Sequence, residues 1–325
     1  MFSLSRRRFA TFLAATAAAG LAGPAYAQEK PTIKVSSLTL PVFNPLVWNI
    51  MKARGFDAKH GFNLDIHAYP SISAFYAAFA TGETETLIGG PTVFQKLFAQ
   101  GVPVRIIGSG FTLADLVIFA KDPKIKSLAD LKGKQLAIDM GGSQYQMVRI
   151  YCEAKGIDLG KDITVVNANF AVARAQLEAS RVDAALVIEP LASIIFKSHP
   201  DWHAIFNGAQ GWKEITGESG WEIVPAMRAD AIKRTPKAPQ MMLAALQDVA
   251  DFMSNHTVEA DKIAHDTLRL PSGIFTAAVK SGRLQLIVKP AWDPATHKSI
   301  KDMMERAVKA GFYKKMPPET IFYAP

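Results

Sequence analysis

A chain of 325 residues with 49 % hydrophobic content has ample material for a core and suits one large or two medium α/β domains. Its formal net charge of +8 falls to +5 once the three arginines near the N-terminus are set aside; no basic block remains, which speaks against a nucleic-acid partner. The single cysteine, Cys152, excludes an internal disulfide, so stability must come from burial.

The chain opens on "SRRRFA" (Ser5 to Ala10), an apolar run from Phe12 to Ala22, and small residues at Ala25 and Ala27. A basic segment, a short apolar segment and a small-residue cleavage site are the marks of an export signal over residues 1–27. Arg6-Arg7 with Phe9 resembles the twin-arginine signal, which passes folded proteins, although Ala10 stands where that pattern has leucine. The apolar run is too short to span about 30 Å of hydrocarbon. The mature chain is therefore expected to begin near Gln28 and to be a soluble periplasmic protein.

Strands and helices then alternate. A strand over 33–38 leads through "TLPVFN" into a helix with Pro45 near its start and Gly55 past its end. Strands over 62–69, 84–90 and 102–110 follow, the first two leading into helices over "ISAFYAAFATG" and "PTVFQKLFAQG". A strand at 116–120 and a polar stretch precede a second series with strands at 135–139, 163–170 and 184–190. Ile150, Tyr151 and Ala154 share a helix face with Cys152, which reads as a core thiol. Beyond the Gly-rich "GAQGWKEITGESG" lies a strand at 220–227, and the chain is helical from Thr235 on. Strands alternating with helices of 10–15 residues mean βαβ units and mainly parallel sheets. The pattern gives two α/β lobes, 28–115 plus 222–325 and an inserted 116–221, joined by crossings near 112–118 and 218–224.

Three stretches carry a family resemblance: 53–110, which includes "GFNLDIHAY" and "TGETETLIGGP"; "SLADLKGKQLAIDMGGSQYQMV" within 127–158; and "ARAQLEASRVDAALVIEPLAS" at 173–193. Together they resemble the solute-binding proteins of ATP-driven (ABC) importers, in the branch that includes sulfonate, taurine, nitrate and thiamine-precursor receptors. "LIGG", where many relatives have an acidic or small polar pair, and Ile188, where an aromatic is common, depart from that pattern. The resemblance implies the two-lobed type II periplasmic-binding-protein fold, with a ligand cleft between lobes that close by a hinge. It also implies a monomer that serves an inner-membrane permease, with no cofactor and no metal. The expected solute is small and organic, with an anionic group such as a sulfonate or an aromatic or heterocyclic acid. The alternative is an enzyme on the same fold acting on a small heterocycle such as a pyrimidine precursor. A single cysteine and an export signal speak against that alternative. "GGSQY" is no nucleophile elbow, because Tyr145 replaces the last glycine, and Pro200 breaks the helix that would pair His199 with His203 on a metal.

Ligands of open α/β sheets bind beyond the carboxyl ends of strands, and free N–H groups at helix starts suit an anion. Small or hydroxylic turns at such ends nominate Thr39 and Asn44, then Gly90, Pro91 and Thr92, Ser109, and Asn169. The strongest candidate is "GGSQY", in which Gly142 admits a close backbone approach and Ser143 and Gln144 donate hydrogen bonds. Each such turn is also what simple capping would need. Dipoles of about 0.3–1 kcal/mol each cannot supply the roughly 8 kcal/mol of micromolar binding, so aromatic walls are expected. Phe43, Tyr145, Phe170 and Trp221 stand in place for that. Glu189 is either an acceptor for a ligand N–H or the partner of a basic residue on the other lobe.

Overall fold

The structure, a computed structural model, describes residues 30–40 and 42–325. The expected export signal lies outside the described residues. Among the described residues, eleven strands form two sheets. The strands are β1 (Thr32–Leu38), β2 (Asn63–Tyr69), β3 (Thr86–Gly89), β4 (Val104–Ile106), β5 (Phe111–Thr112), β6 (Leu116–Ala120), β7 (Gln135–Ile138), β8 (Thr164–Asn167), β9 (Ala184–Ile188), β10 (His203–Asn207) and β11 (Trp221–Arg228). The first sheet runs β2-β1-β3-β11-β4, with β5 paired to β11; the second runs β10-β6-β9-β7-β8. In each sheet one strand opposes the rest: β11 is antiparallel to β3, β4 and β5, and β6 is antiparallel to β9 and β10. These are the two strands that follow a passage of the chain from one sheet to the other. The sheets are thus mainly parallel, as the alternation of elements predicts.

Each sheet buries its own apolar faces. Val35, Trp48, Phe62, Leu246 and Phe275 pack on one face of the first sheet, and Phe79, Leu87, Phe94 and Ile106 on the other. The second sheet holds a separate cluster built on Ile118, Leu136, Leu186, Cys152 and Trp212. Each fully buried side chain of this kind contributes roughly 1.5–3 kcal/mol. The Cys152 thiol is buried there, and burial pushes its pKa up to about 12.

Helix starts follow local chemistry. Ser71, Asn169 and Asp293 cap helices Ile72–Thr81, Phe170–Glu178 and Pro294–Lys309 through their side-chain oxygens. Besides the short β5, two neighbouring elements depart from the sequence reading. β10 was not expected, and the Gly-rich run after it is a helix, Gly208–Thr216, capped by Asn207. Gly211 is there for contact and not for a turn: a Cβ would lie 2.6 Å from Phe206 Cζ and 3.2 Å from Tyr151 Cδ2. Among the described residues, no helix is long and apolar enough to cross a membrane.

The two passages between sheets run side by side. One is the 3₁₀ turn Leu113–Asp115 between β5 and β6, and the other spans Gly217 to Gly220 before β11. Trp221 pairs with Thr112, and Leu113 N–H donates to the Gly220 carbonyl at 3.4 Å.

Candidate functional site

A cavity of about 50 Å³ lies between the sheets, at the carboxyl ends of β1, β3 and β9 and against the passages. Its walls are mostly apolar and aromatic: Leu38, Phe43, Phe75, Phe111, Phe170 and Ile188. Five polar side chains interrupt them: Asn44, Tyr76, Asp115, Gln144 and Glu222. Among the described residues, no Lys, Arg or His lines the cavity.

The polar groups come from five different elements, so only the fold assembles them. Asn44, in the first turn of helix Phe43–Ala53, donates from Nδ2 to the Ile88 carbonyl at the end of β3, 3.0 Å away. Tyr76, on helix Ile72–Thr81, accepts from the Gly90 N–H at 2.8 Å. Burial pushes its phenol well above the ordinary range. Gln144, at the start of helix Ser143–Ala154, donates from Nε2 to Glu222 Oε1. Asp115 ends the first passage, and Glu222 stands one residue into β11.

Asp115 and Glu222 are both buried and share a hydrogen bond between their carboxyl groups. Burial raises the Asp115 carboxyl well above its usual range, and the neighbouring Glu222 charge and the hydrogen bond to it add to the effect. Burial also raises Glu222, while bonds from Asp115 and Gln144 favour its ionised form. Two neighbouring buried carboxyl groups disfavour each other's charge, which adds to burial in raising the Asp115 carboxyl. Among the described residues, two buried amide oxygens of this group, Asn44 Oδ1 and Gln144 Oε1, have no hydrogen-bond partner. Such acceptors cost about 1–3 kcal/mol each when left unmade, which suits a ligand rich in N–H donors.

The structure sorts the residues nominated from sequence. Phe43, Asn44, Gly142, Gln144 and Phe170 line the cavity. Gly90 and Ser143 meet beside it, and Ser143 Oγ donates to the Glu222 carbonyl at 3.3 Å. The others are engaged elsewhere. Thr39 is tied to the Tyr69 carbonyl through its N–H at 2.9 Å. Pro91 and Thr92 are buried in the first turn of helix Pro91–Ala99. Ser109 bridges the Ile287 carbonyl and the Lys289 N–H. Asn169 accepts from the Val172 N–H as a helix cap. Tyr145 packs edge-on against Phe312. Trp221 donates from Nε1 to Ser299 Oγ at 3.1 Å.

Glu189 is fully buried and bonds to Arg283 Nε at 2.5 Å and to the Ser193 N–H and hydroxyl. Of the two roles that the sequence left open for it, this is the pairing with a basic residue from outside its own sheet. The expected anionic head group meets a cavity with two carboxyl groups and no basic side chain. The sequence pattern places residues 115 and 222 in the passages, so the expectation of an anionic head group does not include their carboxyl groups.

The architecture of two sheets with a cleft between them is that of the periplasmic solute-binding proteins. It matches the alkanesulfonate-binding protein SsuA of Xanthomonas axonopodis pv. citri, bound to MOPS, with a TM-score of 0.76 at 16 % identity, over 91 % of this chain and 99 % of that one. In sequence the chain is 22 % identical over 280 residues, 85 % of each chain, to a protein of Brucella abortus (strain 2308) named as a binding protein. It is also 26 % identical over 166 residues to a Haemophilus influenzae (strain Rd) protein named for thiamine biosynthesis, over 50 % of this chain and 51 % of that one. The profile of the family described as NMT1/THI5 like matches residues 48–260, and the chain belongs to that family.

Proposed function

We propose that this protein is a periplasmic receptor that captures a small nitrogen-bearing solute and delivers it to the permease of an ABC-type importer. Residues 1–27 direct its export, and 28–115 plus 222–325 and 116–221 form two lobes that close on the solute by a hinge at the paired passages. The observation that carries the choice of solute is the set of unpartnered acceptor oxygens around the Asp115–Glu222 pair, inside aromatic walls.

Magnitudes decide against an anion. One ionised carboxylate about 4 Å from an anionic group costs roughly 4 kcal/mol at an effective dielectric near 20. A helix start returns only about 0.3–1 kcal/mol. A flat solute such as an aminopyrimidine offers what the oxygens lack and fills the apolar walls. The relative named for thiamine biosynthesis supports that class.

The test is a thermal-shift screen of the mature protein against aminopyrimidines and other amino-substituted heterocycles, alkylsulfonates and nitrate. Stabilisation by an amino heterocycle is expected, worth about 2.7 kcal/mol at a hundred times Kd. Stabilisation by sulfonate or nitrate alone would overturn the choice of solute. Turnover of the bound compound would point instead to an enzyme.

A further inference from the structure

We propose that Asp115 and Glu222 act as a charge filter: they hold one proton between them in the unliganded protein and release it to admit a cationic nitrogen base. The inference rests on the receptor reading above and goes beyond it by fixing the charge of the solute and the proton count of binding. It restricts the amino heterocycles to those basic enough to be cationic at neutral pH.

The geometry supports it from every side of the pair. Glu222 receives a hydrogen bond from Gln144 Nε2 and one from Asp115, so the shared proton stays inside the pair. Helix Phe43–Ala53 contributes Phe43 and the neutral Asn44, and helix Phe170–Glu178 contributes Phe170. From helix Ile72–Thr81 comes Tyr76, whose hydroxyl already accepts from the Gly90 N–H, with Tyr313 beyond it. Glu189 lies near enough to act on Asp115, but its charge is matched by Arg283. No cation among the lining residues offsets a second ionised carboxylate, and so the proton does.

Asn44 and Gln144 supply the independent sign of a ligand. Each is more than nine-tenths buried, lines the same cavity and has a side-chain oxygen without a partner. An amidinium or ammonium donates several N–H bonds at once, to these oxygens and to both carboxyl groups. The exchange balances: a cation enters, a proton leaves, and the site keeps one net negative charge. A neutral amide would leave the proton in place, and a carboxylate of the same shape would be repelled.

Two measurements test this. Infrared difference spectra of the ligand-free protein at pH 7 should show a protonated carboxyl band that Asp115→Asn removes. Titration calorimetry with benzamidinium, benzamide and benzoate, three probes of one shape, should rank them in that order. With benzamidinium, phosphate and Tris buffers should report about one proton released, and affinity should rise about tenfold per pH unit. Asp115→Asn should abolish the proton release. Absence of the infrared band overturns the proposal. So does benzamide or benzoate binding as well as benzamidinium, or binding without proton release. A band without any binding of benzamidinium overturns the exchange, and if an amino heterocycle from the wider screen still binds, the receptor reading stands.

Discussion

Replacing Gly90 by alanine should separate ligand binding from folding. Gly90 follows β3 in the first sheet, and Ser143 opens a helix packed on the second. A Cβ on Gly90 would fall well inside contact distance of Ser143 Oγ and Cβ, yet 3.6 Å from Ser143 Cα, an ordinary contact. The obstruction is the Ser143 side chain, including its stiff first carbon, so it cannot be relieved by a rotamer change. Overpacking of this kind costs about 1–3 kcal/mol. If the lobes can part, that cost falls on the closed arrangement and weakens binding by roughly 5- to 150-fold, while each lobe keeps its own core and denaturation changes little. Ser143→Gly should rescue the variant, since it removes the clashing atoms and loses only a hydrogen bond worth about 0.5–1.5 kcal/mol. Ser143→Ala should not, because the clashing Cβ stays. Calorimetry with the solute that stabilises the wild type, together with solution scattering, reads both effects. Wild-type affinity and compaction in Gly90→Ala, or equal rescue by alanine and glycine at 143, would refute the reasoning.

Arg283→Met should destabilise the protein by about 3–5 kcal/mol in chemical denaturation, because it strands Glu189 as a buried charge; adding Glu189→Gln should recover much of that loss. The Asp115–Glu222 pair should make the ligand-free protein less stable as pH rises. Both carboxyl groups are raised on folding, so above about pH 4 the folded state binds more protons than the unfolded one, and stability falls by up to about 1.4 kcal/mol per pH unit per excess proton. Asp115→Asn keeps the hydrogen-bond donor without a titrating group, so its advantage over the wild type should grow with pH in urea melts; a constant difference would count against the shared proton.

Much of the fold was legible because it is written locally. Apolar strands alternate with periodic helices, and Pro45, Pro91 and Asn169 mark helix starts by local chemistry that needs no knowledge of the fold. The helix over Gly208–Thr216 was missed for the opposite reason: its glycines, read as turn signals, serve a close approach to Phe206, a tertiary fact. The site divides in the same way. Phe43, Asn44, Gly142 and Gln144, which the sequence nominates because they sit at strand-to-helix turns, line the cavity.

Asp115 and Glu222 were missed because neither stands at such a turn, and because their meaning lies in a pairing across the two passages. One of them did leave a trace. Along β11, Glu222 has the same parity as Val224 and Ala226, all three buried, so strand periodicity alone puts a carboxyl group on an apolar face. A buried acid must find a partner or a proton. Glu189 found Arg283, whereas Glu222 found only Gln144 and a second acid. That difference separates a carboxylate that ties the structure together from one that lines the cavity.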